Sequence, residues 1–157
     1  MSERYPLEAA RELRERAVDE AGEALAAAVR AHAEASQAHS RACAKLEAHE
    51  VETRAFVEAE RQAGPRRIED FQHAQAYLTR RRTEREAHVA AIARAADEVT
   101  ARERDVVTAR DVLATAKAEA QAVEKHHERW QDERRKRAEA RAEDEVEDLV
   151  SARHGRK

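Results

Sequence analysis

Helix breakers are nearly missing from this chain. Three glycines and two prolines are spread over 157 residues, and their positions are uneven: Pro6 near the front, Gly64-Pro65 near the middle, Gly155 close to the end, and only Gly22 inside a long run. Proline removes a backbone donor and clashes with the preceding helical turn, and glycine costs about 1 kcal/mol relative to alanine in a helix. Aromatic residues make up 3% of the sequence, too few for a thick globular core. One cysteine, Cys43, cannot build an intrachain disulfide framework. No run approaches the roughly 20 apolar residues of a membrane span, and the opening residues, Met1-Ser2-Glu3-Arg4, lack the apolar stretch of a secretory signal. Positive and negative charges are interleaved around a net charge of -3, which argues against broad nucleic-acid affinity. A soluble, cytoplasmic protein is expected.

What remains is alanine, glutamate, arginine, valine and leucine in helical abundance. Charged residues reach 40% of the chain, a level that also raises disorder. Summed helix propensity and the length of the periodic pattern favour a coiled coil instead. The punctuation predicts an all-α fold: an antiparallel two-helix coiled-coil hairpin with helices of unequal length. It forms a single domain over 1–157, with helix one over about 6–62, a turn over about 63–67 and helix two over about 68–152. At 1.5 Å per residue the helices span roughly 85 Å and roughly 125 Å, so the second overruns the first by about 40 Å.

The seam can be read position by position. In helix one, Val18, Leu25, Val29, Cys43, Leu46 and Val57 fit alternating steps of three and four, with His32, Ser36 and His39 as polar members. A second stripe, Ala28, Ala35, Ala38 and Ala42, competes with it, and the choice stays open. In helix two, Phe71, Leu78, Ile92, Val99, Val106 and Leu113 share one heptad phase, interrupted by Arg85. The other half of that seam is expected at Gln75, Arg82, Val89, Ala96, Glu103, Arg110 and Lys117, with long aliphatic stems for partial burial. Past Leu113 the stripe passes through Ala116, Ala120, Val123, His127 and Trp130, then re-forms as Ala138, Ala142, Val146, Leu149 and Val150. From about Trp130 onward the hairpin offers little intrachain partner. A helix with an uncovered apolar stripe needs another protein.

Signatures of catalysis are absent: no phosphate-binding glycine loop, no nucleophile elbow and no ligand-spaced cysteine or histidine cluster. His126 and His127 point to different sides of a helix, so a shared metal site is not expected, and no cofactor is. His32 and His39 read as polar seam residues that set register. Pairs such as Glu12–Arg16 and Glu133–Arg137 are helix-surface pairs worth a few tenths of a kcal/mol each, about the usual size. Two basic clusters stand out: Arg80, Arg81 and Arg82 with Arg85, and Arg134, Arg135, Lys136 and Arg137 with Arg141. Each is either a solvated face or a contact surface. Trp130, the one tryptophan, is either an interface anchor or a residue packed over the start of helix one near Leu7.

Tyr5-Pro6-Leu7-Glu8 followed by Leu13-Arg14-Glu15 resembles the opening of the FliJ-like proteins. Asp70-Phe71 with Tyr77-Leu78 resembles their start of helix two, and Val123-Glu124-Lys125 with Glu128-Arg129-Trp130 resembles a block further along it. The tail with Arg141, Glu143, Val146-Glu147-Asp148-Leu149 and Arg153 resembles their ending. The likeness extends over nearly the whole length. This family comprises the flagellar export protein FliJ and its injectisome counterparts, the YscO-type proteins. The resemblance implies a non-enzymatic, cytoplasmic antiparallel coiled coil at the base of a type III export apparatus. It also implies partners: a hexameric export ATPase that takes the end bearing both termini, the cytoplasmic part of the export gate, and export chaperones. Contact with the membrane would come only through these partners. Carried onto this sequence, the ATPase-facing residues are Leu7, Leu13, Trp130, Val146 and Leu149, and the gate-facing ones are Phe71, Tyr77, Leu78, Arg81 and Arg85. The stretch around Arg80, Arg81 and Arg82 is more basic than the flagellar pattern and helix one is poor in aromatics, which brings the chain slightly nearer the injectisome branch. Two rivals come from other classes: a self-associating structural scaffold that uses the same seams, and a binder of anionic surfaces through the arginine clusters.

Overall fold

A computed structural model describes residues 4–154. It contains two helices, α1 (Glu8–Gln62, 55 residues) and α2 (Ile68–His154, 87 residues), packed against each other, with no strand among the described residues. Gly155 lies outside the described residues. The helix ends follow from local chemistry. Pro6 and Leu7 form a turn from which the Glu8 N–H donates to the Tyr5 carbonyl at 3.3 Å, so α1 opens just after the proline. At the other end the Ala63 N–H still donates to the Ala59 carbonyl at 3.1 Å. Pro65 then removes a donor and pushes its neighbour out of the helical region. Gly64 does not adopt a left-handed backbone, so the break comes from Pro65. The Arg67 N–H donates to the Asp70 carboxylate at 3.3 Å, half of a capping box at the head of α2, and Glu69 and Asp70 complement the helix dipole there.

The chain divides into two compact units, one made of Met1–Glu23 with Asp111–Lys157 and one of Ala24–Arg110. In the second unit, Phe56 meets Tyr77, Thr53 meets Arg81 and His49 meets Glu84 and His88. Partner numbers fall on one strand of contacts as they rise on the other. The buried stripe of α1 here is Leu25, Ala28, His32, Ala35, His39, Ala42, Leu46, His49, Thr53 and Phe56, in alternating steps of three and four. The two competing sequence stripes are thus the two halves of one seam, with Val29, Ala38 and Cys43 left exposed. On α2, Leu78, Ile92, Val99 and Val106 hold their expected phase. The other half is corrected in part: Ala96 is half-buried as expected, together with Ala95, but Gln75, Arg82, Val89, Glu103 and Arg110 are exposed, and Ala74, Arg81, His88, Arg102 and Ala109 take their place. One apolar phase is compatible with neighbours three or four residues on, and alanine carries too little hydrophobic contrast to reveal which side is buried.

In the first unit, Arg11 Nε pairs with Glu124 at 2.7 Å and Arg14 pairs with Glu119. Between them and beyond, Val18, Ala21, Leu113, Ala116, Ala120 and Val123 form the seam, with Ala21 and Ala116 buried; Lys117 is exposed. Two helices enclose only a thin core, and no side chain among those described is fully buried.

Candidate functional site

Two groups of residues are set apart by the sequence, one in each unit. In the first unit the N-terminal segment lays Tyr5 against α2, where it is only 6% exposed. The Tyr5 Oη lies 2.7 Å from His126 Nδ1, a hydrogen bond whose proton follows the imidazole tautomer. Its ring centroid is 4.6 Å from that of His127 and 5.4 Å from that of Trp130, and the Arg134 guanidinium sits 5.4 Å from the indole. Tilted rings at these separations are favourable aromatic geometry. Burial pushes the Tyr5 phenol above its ordinary pKa, and the Glu124 and Glu8 carboxylates add to the effect. The Arg11 guanidinium is held protonated more firmly than usual, first by its hydrogen bond to Glu124.

Trp130 is therefore packed on the N-terminal segment, and its partner is Tyr5. His126 and His127, although adjacent, both engage that one phenol. Leu7 and Leu13 are exposed, and so is every described side chain from 131 to 151. Val146 is 59% exposed and Leu149 70% exposed, on a stripe that the described residues leave uncovered. Sequence reasoning quoted Tyr5 only for family likeness and missed it as an anchor. An aromatic three residues before the helix start, in a chain with so few, was the available signal.

In the second unit the residues near the turn divide into spent and available ones. Arg81 is spent: its side chain is 12% exposed, Nε donates to Thr53 Oγ1 at 2.9 Å, and Nη2 donates to the His49 carbonyl at 2.7 Å and to Glu52 at 3.0 Å. Tyr77 packs on Phe56 with centroids 4.2 Å apart, with Arg80 and Arg81 against its ring. Leu78 is half-buried. Arg85 reaches across to Glu50 at 2.9 Å while staying half in solvent. Phe71, at 72% exposed, is available, and exposed Ile68 stands beside it. Beneath Arg81 lies a residue that sequence reasoning did not single out. His49 is 6% exposed and both its ring nitrogens lack a hydrogen-bond partner; Nε2 is 3.3 Å from Glu84 without the alignment of a bond. Its ring meets His88 edge-on at 5.2 Å.

Among the described residues no group of three or more histidine, cysteine or carboxylate side chains is set to hold a metal ion. No helix of the described residues is long and apolar enough to cross a membrane. The groove beside Arg81 is lined by arginine, glutamate, His49, Thr53 and the aliphatic side chains of Val57 and Leu78. The arrangement offers contact surfaces.

Comparison with known proteins returned one finding. A family model described as YscO-like protein matches residues 2–157. Among curated proteins and among solved structures, nothing matches.

Proposed function

The chain belongs to the YscO-like family, a family of type III export, and from that membership we propose that it is the central stalk of a type III export apparatus. In this reading it folds as an antiparallel coiled-coil hairpin and performs no catalysis itself. Its terminal end, with Leu7, Leu13, Val146 and Leu149, binds a hexameric export ATPase and promotes its assembly and hydrolysis. Its turn end, led by Phe71 and Arg85, reaches the cytoplasmic part of the export gate. Export chaperones dock on the same protein. The work takes place at the cytoplasmic base of the apparatus.

The observation that carries this reading is the stretch after Trp130. It keeps helical structure to His154 while every described side chain from 131 to 151 is exposed, apolar stripe included. Exposed apolar side chains on a helix gain free energy only when another surface covers them. Ring subunits that each bury a small part of such a helix would be brought together by it, and mass action then raises ring occupancy. Arg81 and Tyr77 support the turn end from within, and Phe71 and Ile68 have apolar area left to offer.

The test uses the purified chain and the export ATPase of the same cell. Hydrolysis and sedimentation are scored together, with the intact chain and with a chain ending after Gln131, which keeps the Tyr5–Trp130 contact. Stimulated hydrolysis with a heavier ring, lost in the shortened chain, is the expected result. Stimulation that survives the shortening would move the contact to Leu7 and Leu13, and absence of stimulation by the intact chain overturns the stalk reading.

A further inference from the structure

We propose that the exposed end of α2 pairs antiparallel with the same segment of a second copy, about a two-fold axis at Ala142. Three features of the segment lead there independently of the ATPase reading. The first is charge. From Arg134 to Arg141 five cations (Arg134, Arg135, Lys136, Arg137 and Arg141) outnumber the one carboxylate, Glu139, whereas Glu143, Asp144, Glu145, Glu147 and Asp148 stand C-terminal to Ala142. Among the described residues none of these five carboxylates has an ion pair, whereas Arg135 and Arg137 pair only locally, with Asp132 at 3.0 Å and Glu133 at 3.2 Å. A parallel partner would set basic on basic and acidic on acidic within a Debye length of about 10 Å; an antiparallel one sets each block against its opposite.

The second feature is spacing. The stripe Arg135, Ala138, Ala142, Val146 and Leu149 advances in steps of three, four, four and three, which is symmetric about Ala142. An antiparallel copy centred there sets Ala138 against Val146, Ala142 against itself, and Leu149 over the aliphatic stem of Arg135. Small residues at the centre allow close approach. Arg141 and Glu145 lie on the same flank of the stripe, and in an antiparallel pair like flanks face each other. Arg141 of one copy therefore meets Glu145 of the second copy, twice.

The third feature is length. The axis at residue 142 maps 130 onto 154. The overlap thus begins where Tyr5 stops covering Trp130 and uses the whole described exposed segment up to the end of α2 at His154. With one valine and one leucine per copy, the pairing is weak and salt-sensitive, toward the low end of specific interfaces. It covers Val146 and Leu149, so a paired chain cannot offer them elsewhere.

The experiment uses the full chain with Cys43→Ser, because Cys43 is exposed and free to form crosslinks of its own. Single variants Ala138→Cys, Ala142→Cys and Val146→Cys are oxidised at low salt. The expected result is a disulfide dimer for Ala142→Cys alone, little for the other two alone, and a dimer when Ala138→Cys and Val146→Cys chains are mixed. Equal crosslinking of all three variants would show in-register parallel pairing and overturn the proposal, as would crosslinking of none. Arg141→Glu and Glu145→Lys should each lower dimerisation in sedimentation at least several-fold, and mixing the two variants should restore it. Loss without restoration in the mixture also overturns the antiparallel contact. ATPase stimulation is not read in any arm, so either reading can fail without the other.

Discussion

The two compact units use one helix pattern with different contents. The Met1–Glu23 with Asp111–Lys157 unit packs alanine and aliphatic residues and is closed by an aromatic contact, Tyr5 on Trp130. The Ala24–Arg110 unit places Arg81, Arg102, His32, His39, His49 and His88 on its seam. Buried polar groups contribute little net stability and leave large penalties when a partner is removed. Arg81 does penalise slipped registers, because its acceptors across the seam, Thr53, the His49 carbonyl and Glu52, line up with it in one alignment only. The first unit thus keeps its polar contacts, Arg11 with Glu124, Arg14 with Glu119 and Tyr5 with His126, beside an apolar seam, whereas the second carries polar side chains in the seam itself, with Arg81 at the centre.

That difference can be broken on either side. The largest expected effect is from Tyr5→Ala, which deletes the buried ring and its hydrogen bond. Hydrogen exchange should show protection lost over 8–23 and 111–130, with Trp130 emission shifting red and the second unit keeping its protection. Protection retained in the first unit would show that the alanine seam holds without the aromatic contact. Next comes Arg81→Ala, which removes the donor shared by Thr53, the His49 carbonyl and Glu52 and should cost about 2–3 kcal/mol in urea unfolding. Arg81→Lys should recover less than half of that, because an ammonium cannot span Thr53, the His49 carbonyl and Glu52 together. A full recovery would mean that charge alone matters there.

A smaller change of opposite sign sharpens the comparison. His49→Leu replaces a buried ring with two unpartnered nitrogens by an apolar side chain, and should stabilise the second unit by about 1 kcal/mol. A loss instead would show that the Glu84 contact is favourable. Smallest is the alkaline response of the first unit. The Tyr5 phenol is held above its ordinary value of 10.0, so the neutral form is the one that packs. Its contribution is present below about pH 10 and is lost as pH rises through the folded-state value. Trp130 emission should follow that loss, and Tyr5→Phe should remove it. Phe71→Ala, on an exposed side chain, should change stability in urea unfolding by no more than about 0.5 kcal/mol.

Much of this was legible in the residues. Five glycines and prolines located the break near Gly64-Pro65, and the heptad phase of Leu78, Ile92, Val99 and Val106 located one buried face. The other face was not legible, because alanine and arginine look alike on both candidate sides: Ala95 and Ala96 are adjacent, and so are Arg81 and Arg82. The candidate sites divide in the same way. The exposed stripe of Val146 and Leu149 follows from helix lengths, whereas Arg81 looked like an available cation and is engaged on four sides. Trp130 had two readings in the sequence, and the structure adds that its ring packs on Tyr5 while staying partly exposed.

The sequence by itself determined that this chain is two long helices with a break between them, because helix formation depends on local backbone propensity and on where proline removes a donor. Only the tertiary structure decided which side of each helix is buried, which arginine is locked and where the N-terminal aromatic lands. Those outcomes depend on cross-helix distances between residues far apart in the chain, and no local propensity carries them.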